Sequence, residues 1–328
     1  MTNEPRVASS VRDSETGRER VTEWILLNGD RRVVAGCLVV LIIGLMWTLV
    51  AAGVLAVGPG SSVASVFGSG LTSGIVTLLT IALSINQLVL SRVFGSINVL
   101  EDRLRGSRDL RQTVEAIADV PSSPNDPADF LSLIATTLTD RAEGVVAAGG
   151  ETDWDPPAKL ERALRDLAAY GESLDAHLES HAQVNTVLDV ILGTEYARNI
   201  RAVEHLQNEY AASVPEKIGE EFEAIEALLE SIAVVRQFYK TIAVQQDLAR
   251  LSRLLVYSGI TALLATITVA LMYRTSSVTL PIQVLPVVVS VAIGIVAAPL
   301  ALFVAYILRA ATIARQTVSV GPFIPPIN

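Results

Sequence analysis

The 328-residue sequence predicts an all-α fold: a four-span helical membrane protein with a helical cytoplasmic domain inserted between the second and third spans. Three observations predict it. Mean hydropathy is +0.46 with 51% hydrophobic residues, high for a water-soluble globule. Apolar residues gather into four runs of bilayer-crossing length. Charge is partitioned against those runs. Gly95–Ser252 holds 28 of the 34 acidic residues and only 14 Lys and Arg, whereas 33–94 and all positions after Asp247 lack Asp and Glu.

Residues 1–32 form an N-terminal arm with six acidic residues and six Arg, read as disordered over 1–20. Within it, Arg18–Asn28 suits a short interfacial helix, with Trp24, Ile25 and Leu27 in the interface and Arg31 and Arg32 left in water. Residues 33–93 make the first transmembrane hairpin. Its first span, Val33–Val57, is about twice the length of a signal-peptide core and is followed at once by another span, so it reads as an anchor. Gly58–Gly68 is an uncharged loop, and Gly70–Arg92 returns the chain.

That second span carries a polar stripe. Ser73, Thr77, Thr80, Ser84, Gln87 and Ser91 recur at alternating spacings of four and three, which sets all of them on one helical face. Ile75, Leu78, Leu79, Ala82 and Leu83 lie on the remaining surface. A helix packed only against lipid gains nothing from such a stripe. Its partner is another helix, a symmetry-related copy, or water.

Residues 94–253 are expected to form the acidic helical cytoplasmic domain. Ile97, Leu100, Leu104, Val114 and Ile117 keep helical spacing beyond the span until Pro121 and Pro124 stop it. Asp126-Pro127 supplies an N-cap and a first-turn proline for the next helix. Asp155-Pro156-Pro157 opens a third, expected to reach about Leu192 with a bend at Gly171, and Glu195–Ala212 makes a fourth. After Pro215 no proline occurs until the outer loop, so Glu216–Tyr273 reads as one helix, about 87 Å long if unbroken. Residues 254–309 make the second hairpin, its last span Val284–Leu308 interrupted by Pro299, and 310–328 a cytoplasmic tail.

Orientation follows from arginine. Arg6 to Arg32 precede the first span, Arg92 to Arg111 follow the second, Arg309 and Arg315 follow the fourth, and the first outer loop has no basic residue. Both termini are therefore expected in the cytoplasm of a protein in the cell membrane.

The acidic surface with only three lysines argues against nucleic-acid binding and is accounted for by adaptation to salt. The single Cys37 cannot form an intrachain disulfide. His177 and His181, one turn apart with Glu179 between them, and His205 on the next helix are weak candidates for a metal site. The order HLESH lacks the glutamate position of HExxH, so no metal or other cofactor is expected. No nucleophile–base pair, phosphate loop or dinucleotide fingerprint appears, and no enzymatic role is expected. Gly70 and Gly74, with Ser290, Gly294 and Ala298 in the fourth span, have the spacing of small-residue helix-packing faces.

The order of two spans, a helical domain and two further spans is similar to bestrophin-type anion channels in topology, with no motif and therefore no residue to carry across. The acidic, lysine-poor, alanine- and valine-rich chain also resembles uncharacterised haloarchaeal multi-pass membrane proteins. Two functions are compatible with these features. One is a membrane-anchored scaffold or sensor whose cytoplasmic domain meets a protein partner. The alternative is a homo-oligomeric channel for ions or small solutes, lined by the stripe.

Overall fold

A computed structural model describes residues 6–10, 21–22, 24–93, 97–151, 154, 156–178, 195–211, 213–274 and 280–315. Among these the regular structure is helical, with no strand. Eight long helices follow in order: α1 Arg31–Ala51, α2 Thr72–Val93, α3 Ile97–Ala118, α4 Pro127–Glu151, α5 Ala158–Ala176, α6 Glu195–Tyr210, α7 Glu216–Met272 and α8 Leu285–Arg315. Four of them are long and apolar enough to cross a membrane: α1, α2 with its lead-in from Val63, α7 and α8. The chain divides into two units. One holds residues 20–95 and 244–312; the other holds 1–19, 96–243 and 313–328.

In the apolar unit, α1 stops at Ala51, short of the Val57 that hydropathy alone suggests. The cause is local. Gly53 takes φ +71, its N–H bonds Val50 O, and the Val54 N–H reaches back to Leu49 O. That is a Schellman termination, which needs a residue free to adopt the left-handed conformation. At the other end Asp30 Oδ1 accepts from the Arg32 N–H and starts the helix.

The segment 24–28 forms a π-helical turn in which Trp24 and Ile25 are exposed. Arg31 does not stay in water as expected. Only 3% exposed, it donates from Nε to Gly29 O at 2.8 Å, from Nη1 to Ile25 O at 2.7 Å and from Nη2 to Trp24 O at 3.2 Å. The wide turn gathers several carbonyls, Trp24 O already accepting from the Gly29 N–H, and a guanidinium fork bonds several at once.

Helix α8 runs unbroken through Pro299, which differs from the interruption expected there. A proline removes one N–H and crowds the preceding turn, yet packed neighbours can hold a helix together across it. Gly294, five residues earlier, is a point of close approach to α1: a Cβ placed there would collide with Ile43. Gly259 of α7 is likewise approached by Leu79 of α2, 2.7 Å from such a Cβ.

In the helical bundle, Asp126 caps α4 by accepting from the Ala128 N–H at 2.9 Å, with Pro127 in the first turn. Leu131, Ile134 and Leu138 of α4, Leu160, Leu164 and Leu167 of α5, and Ile225, Leu228 and Leu229 of α7 are completely or almost completely buried. They recur at three- and four-residue spacing, the pattern of one buried stripe per helix. Gly171 is a point of close approach, since a Cβ there would meet Ala135 O at 2.7 Å. Helix α5 ends at Ala176, and the expected extension over 179–192 lies outside the described residues. So does the join between α2 and α3 at 94–96.

Candidate functional site

Helix α2 packs through the side opposite its polar stripe. Ile75 and Ala82 are 3% and 0% exposed, Ser252 Oγ of α7 donates to Ala82 O at 3.0 Å, and Thr72 Oγ1 lies 3.2 Å from Thr266 Oγ1. Ile75 joins Ala262, Val269, Val289 and Val296 in one buried cluster, while Ala82 joins Leu251, Leu255 and Tyr306 in another.

Among the described residues of the apolar unit, nothing covers the stripe itself. Ser73, Thr77, Thr80, Ser84, Gln87 and Ser91 are all exposed. Four of the hydroxyls bond their own helix: Thr77 Oγ1 to Ser73 O, Thr80 Oγ1 to Val76 O and Ser84 Oγ to Thr80 O, each at 3.0 Å, and Ser91 Oγ to Leu88 O at 2.8 Å. Such back-bonding satisfies the donor and leaves an acceptor lone pair outward. Gln87 adds a full amide on the same face. Val76, Leu83 and Leu88, also exposed, flank the stripe, so the outward surface is a polar seam between apolar shoulders.

A family model matches the chain over residues 2–326, nearly its whole length. The chain belongs to the family of unknown function DUF7972. No curated protein and no solved structure matches it.

The other residues that the sequence singles out in this DUF7972 chain fall in varied settings. Gly70 and Gly74 are exposed, and nothing lies within 4 Å of a Cβ built on either. Among the described residues they pack against no helix. Gly294 does, Ser290 is 1% exposed, and Ala298 is half-buried. His177 is exposed with Nδ1 2.6 Å from Ser173 O, and His205 lies 3.5 Å from Glu209 Oε2. His181 lies outside the described residues. Among the described residues no group of three or more His, Cys, Asp and Glu is placed to hold a metal ion.

Two buried clusters escape sequence reasoning. In the apolar unit Asp247 and Arg309 are 4% and 6% exposed, with Arg309 Nε 3.4 Å from Asp247 Oδ2. The available signal is slight: Asp247 is the last acid before an acid-free run. In the bundle, Arg236 lies 4.7 Å over the Tyr196 ring and donates to Tyr196 Oη at 2.9 Å. One turn on, Lys240 is 3% exposed and its Nζ has no hydrogen-bond partner among the described residues. Burial, reinforced by the Arg236 charge, lowers the Lys240 ammonium to about 7. Burial also lowers Arg236 and raises Tyr170.

A groove of about 450 Å³ in the bundle is lined by Ile117, Thr137, Asp140, Arg141, Lys217 and Glu221. Arg141 occupies its wall, bonding Glu221 Oε1 at 2.9 Å and Ile117 O at 2.5 Å. Its charges are of both signs and favour no one class of ligand.

Proposed function

We propose that the protein works in the membrane as a homo-oligomer in which copies of α2 present Ser73, Thr77, Thr80, Ser84, Gln87 and Ser91 to a shared axis. They line a path for ions or small polar solutes. The direction of the stripe carries this reading. The described helices of the apolar unit take the apolar side of α2 and leave the polar side to lipid or to another copy. Hydrocarbon offers Gln87 no hydrogen bond, whereas water or a second copy does. A lining of neutral hydroxyls and an amide lets solutes pass without trapping them.

A second reading keeps the assembly and removes the path. The protein is then a non-enzymatic, membrane-anchored scaffold or sensor whose acidic bundle meets a cytoplasmic partner. In its favour, Thr77, Thr80, Ser84 and Ser91 bond their own backbone and so tolerate a dry contact.

Thr80→Leu and Ser84→Leu separate the readings when liposome flux and oligomer size are measured on the same preparations. Parent flux that falls at least about tenfold in the variants, with oligomer size unchanged, supports a wet lining, because an apolar ring dewets a narrow path. Absence of flux in the parent, with oligomers lost in the variants, removes the path and leaves the scaffold. A monomeric parent overturns both.

A further inference from the structure

Helix α6 buries one face, made of Tyr196, Ala202, Val203 and Leu206. Asn199 shares that face and is 0% exposed. A carboxamide in such a place needs two donors and two acceptor positions met, and it finds part of them far away in sequence. The Ala8 N–H donates to Asn199 Oδ1 at 2.7 Å, and Asn199 Nδ2 donates to Ala8 O at 3.3 Å. Residues 6–9 carry no regular secondary structure, and Val7 and Ala8 are half-buried while Arg6 and Ser9 are exposed. Composition alone reads residues 1–20 as disordered, yet Val7 and Ala8 are packed against the bundle.

The geometry has a specific meaning. When one extended residue turns its N–H and C=O to the same side, a primary amide matches both, as a neighbouring strand residue does in a hydrogen-bonded antiparallel pair. Both bonds go to the main chain. The identity of the residue at position 8 is not read by them; its backbone is. This is how surfaces that add an extended peptide to themselves obtain affinity without strict sequence demand.

We infer that the bundle face around Asn199 is a peptide-docking site for an extended main chain, and that the chain's own residues 6–10 occupy it as an exchangeable latch. The ligand class is a short extended peptide with a free N–H at the clamped residue.

The test uses the full chain. In the parent protein the Ala8 amide should exchange with deuterium at least tenfold more slowly than in the free peptide Glu4–Arg12. Ala8→Pro removes the donated N–H and vacates the site while leaving every other residue in place. Labelled Glu4–Arg12 peptide should then bind the Ala8→Pro protein saturably, and adding Asn199→Ala should weaken it at least tenfold. A peptide methylated on the Ala8 nitrogen should also bind at least tenfold more weakly. Circular dichroism and elution volume establish that the variants are folded. An unprotected Ala8 amide in the parent overturns the inference whatever the variants do. Equal binding of the peptide with and without Asn199, or of the methylated and plain peptides, overturns main-chain reading.

Discussion

Arg309 Nε lies 3.4 Å from Asp247 Oδ2, joining α8 to α7 through two side chains that are almost completely buried. Among the described residues neither of these two atoms has a hydrogen-bond partner, so charge is what holds them. A buried pair gains little net stability over an apolar replacement, but half of one is costly. Asp247→Ala should therefore destabilise the apolar unit by about 3–5 kcal/mol by leaving Arg309 without its counter-charge. The double variant Asp247→Leu/Arg309→Leu should lie near the parent. Unfolding midpoints in detergent check both, and a double variant as weak as the single one refutes the argument.

Gly294 and Gly74 make a second contrast. A side chain at Gly294 collides with Ile43, whereas nothing stands near a Cβ at Gly74. Gly294→Val should cost about 1–3 kcal/mol through overpacking of α8 against α1. Gly74→Ala should leave the fold of the single chain untouched. If Gly74→Ala nonetheless weakens assembly on a native gel, that glycine meets a second copy.

Much of this was legible in the residues, and the parts that were not share a cause. Apolar runs and caps such as Asp126-Pro127 act locally, so the helices could be read directly. The end of α1 depends on Gly53 adopting positive φ, which a glycine permits but does not require. Arg31 looks like a water-facing flank until the π-turn at 24–28 presents carbonyls to it. Periodicity placed the six stripe residues on one face of α2, but which way that face points is set by α7, whose Ser252 lies far along the chain. Asn199 is still less accessible, because its meaning depends on Ala8. Local rules yield elements; contacts between distant segments decide what each element presents.

Lys240 makes a pH prediction. Its pKa is about 7 in the folded bundle against 10.5 as the ordinary value, so between these limits the unfolded chain holds more protons. Stability should therefore rise with pH from about 7 to 10.5, and be lowest below 7 where the ammonium is charged in both states. Lys240→Met should flatten that slope and stabilise the bundle at neutral pH by about 1–4 kcal/mol, since an apolar side chain replaces a buried charge. Thermal melts at pH 7 and pH 9 check it. A parent whose melting point does not rise across that interval, or a Lys240→Met variant that shows the same rise, refutes the assignment.

The last prediction concerns orientation. Arginines flank the first span on its N-terminal side and follow the second and fourth spans, while 52–62 carries no charge at all. Retaining basic flanks in the cytoplasm is the more reliable topological signal than net charge, so the acidity of the bundle does not oppose it. With Cys37→Ser removing the native thiol, a cysteine at the exposed Ser62 should react with an impermeant maleimide in intact cells. A cysteine at the exposed Glu172 should react only after lysis. Labelling of both in lysed cells shows that neither thiol is hidden by packing. The reverse pattern in intact cells would place the bundle outside, and the arginines of the N-terminal arm with it. A cytoplasmic partner for the bundle would then be ruled out on topology alone, leaving any partner to be sought on the outer face.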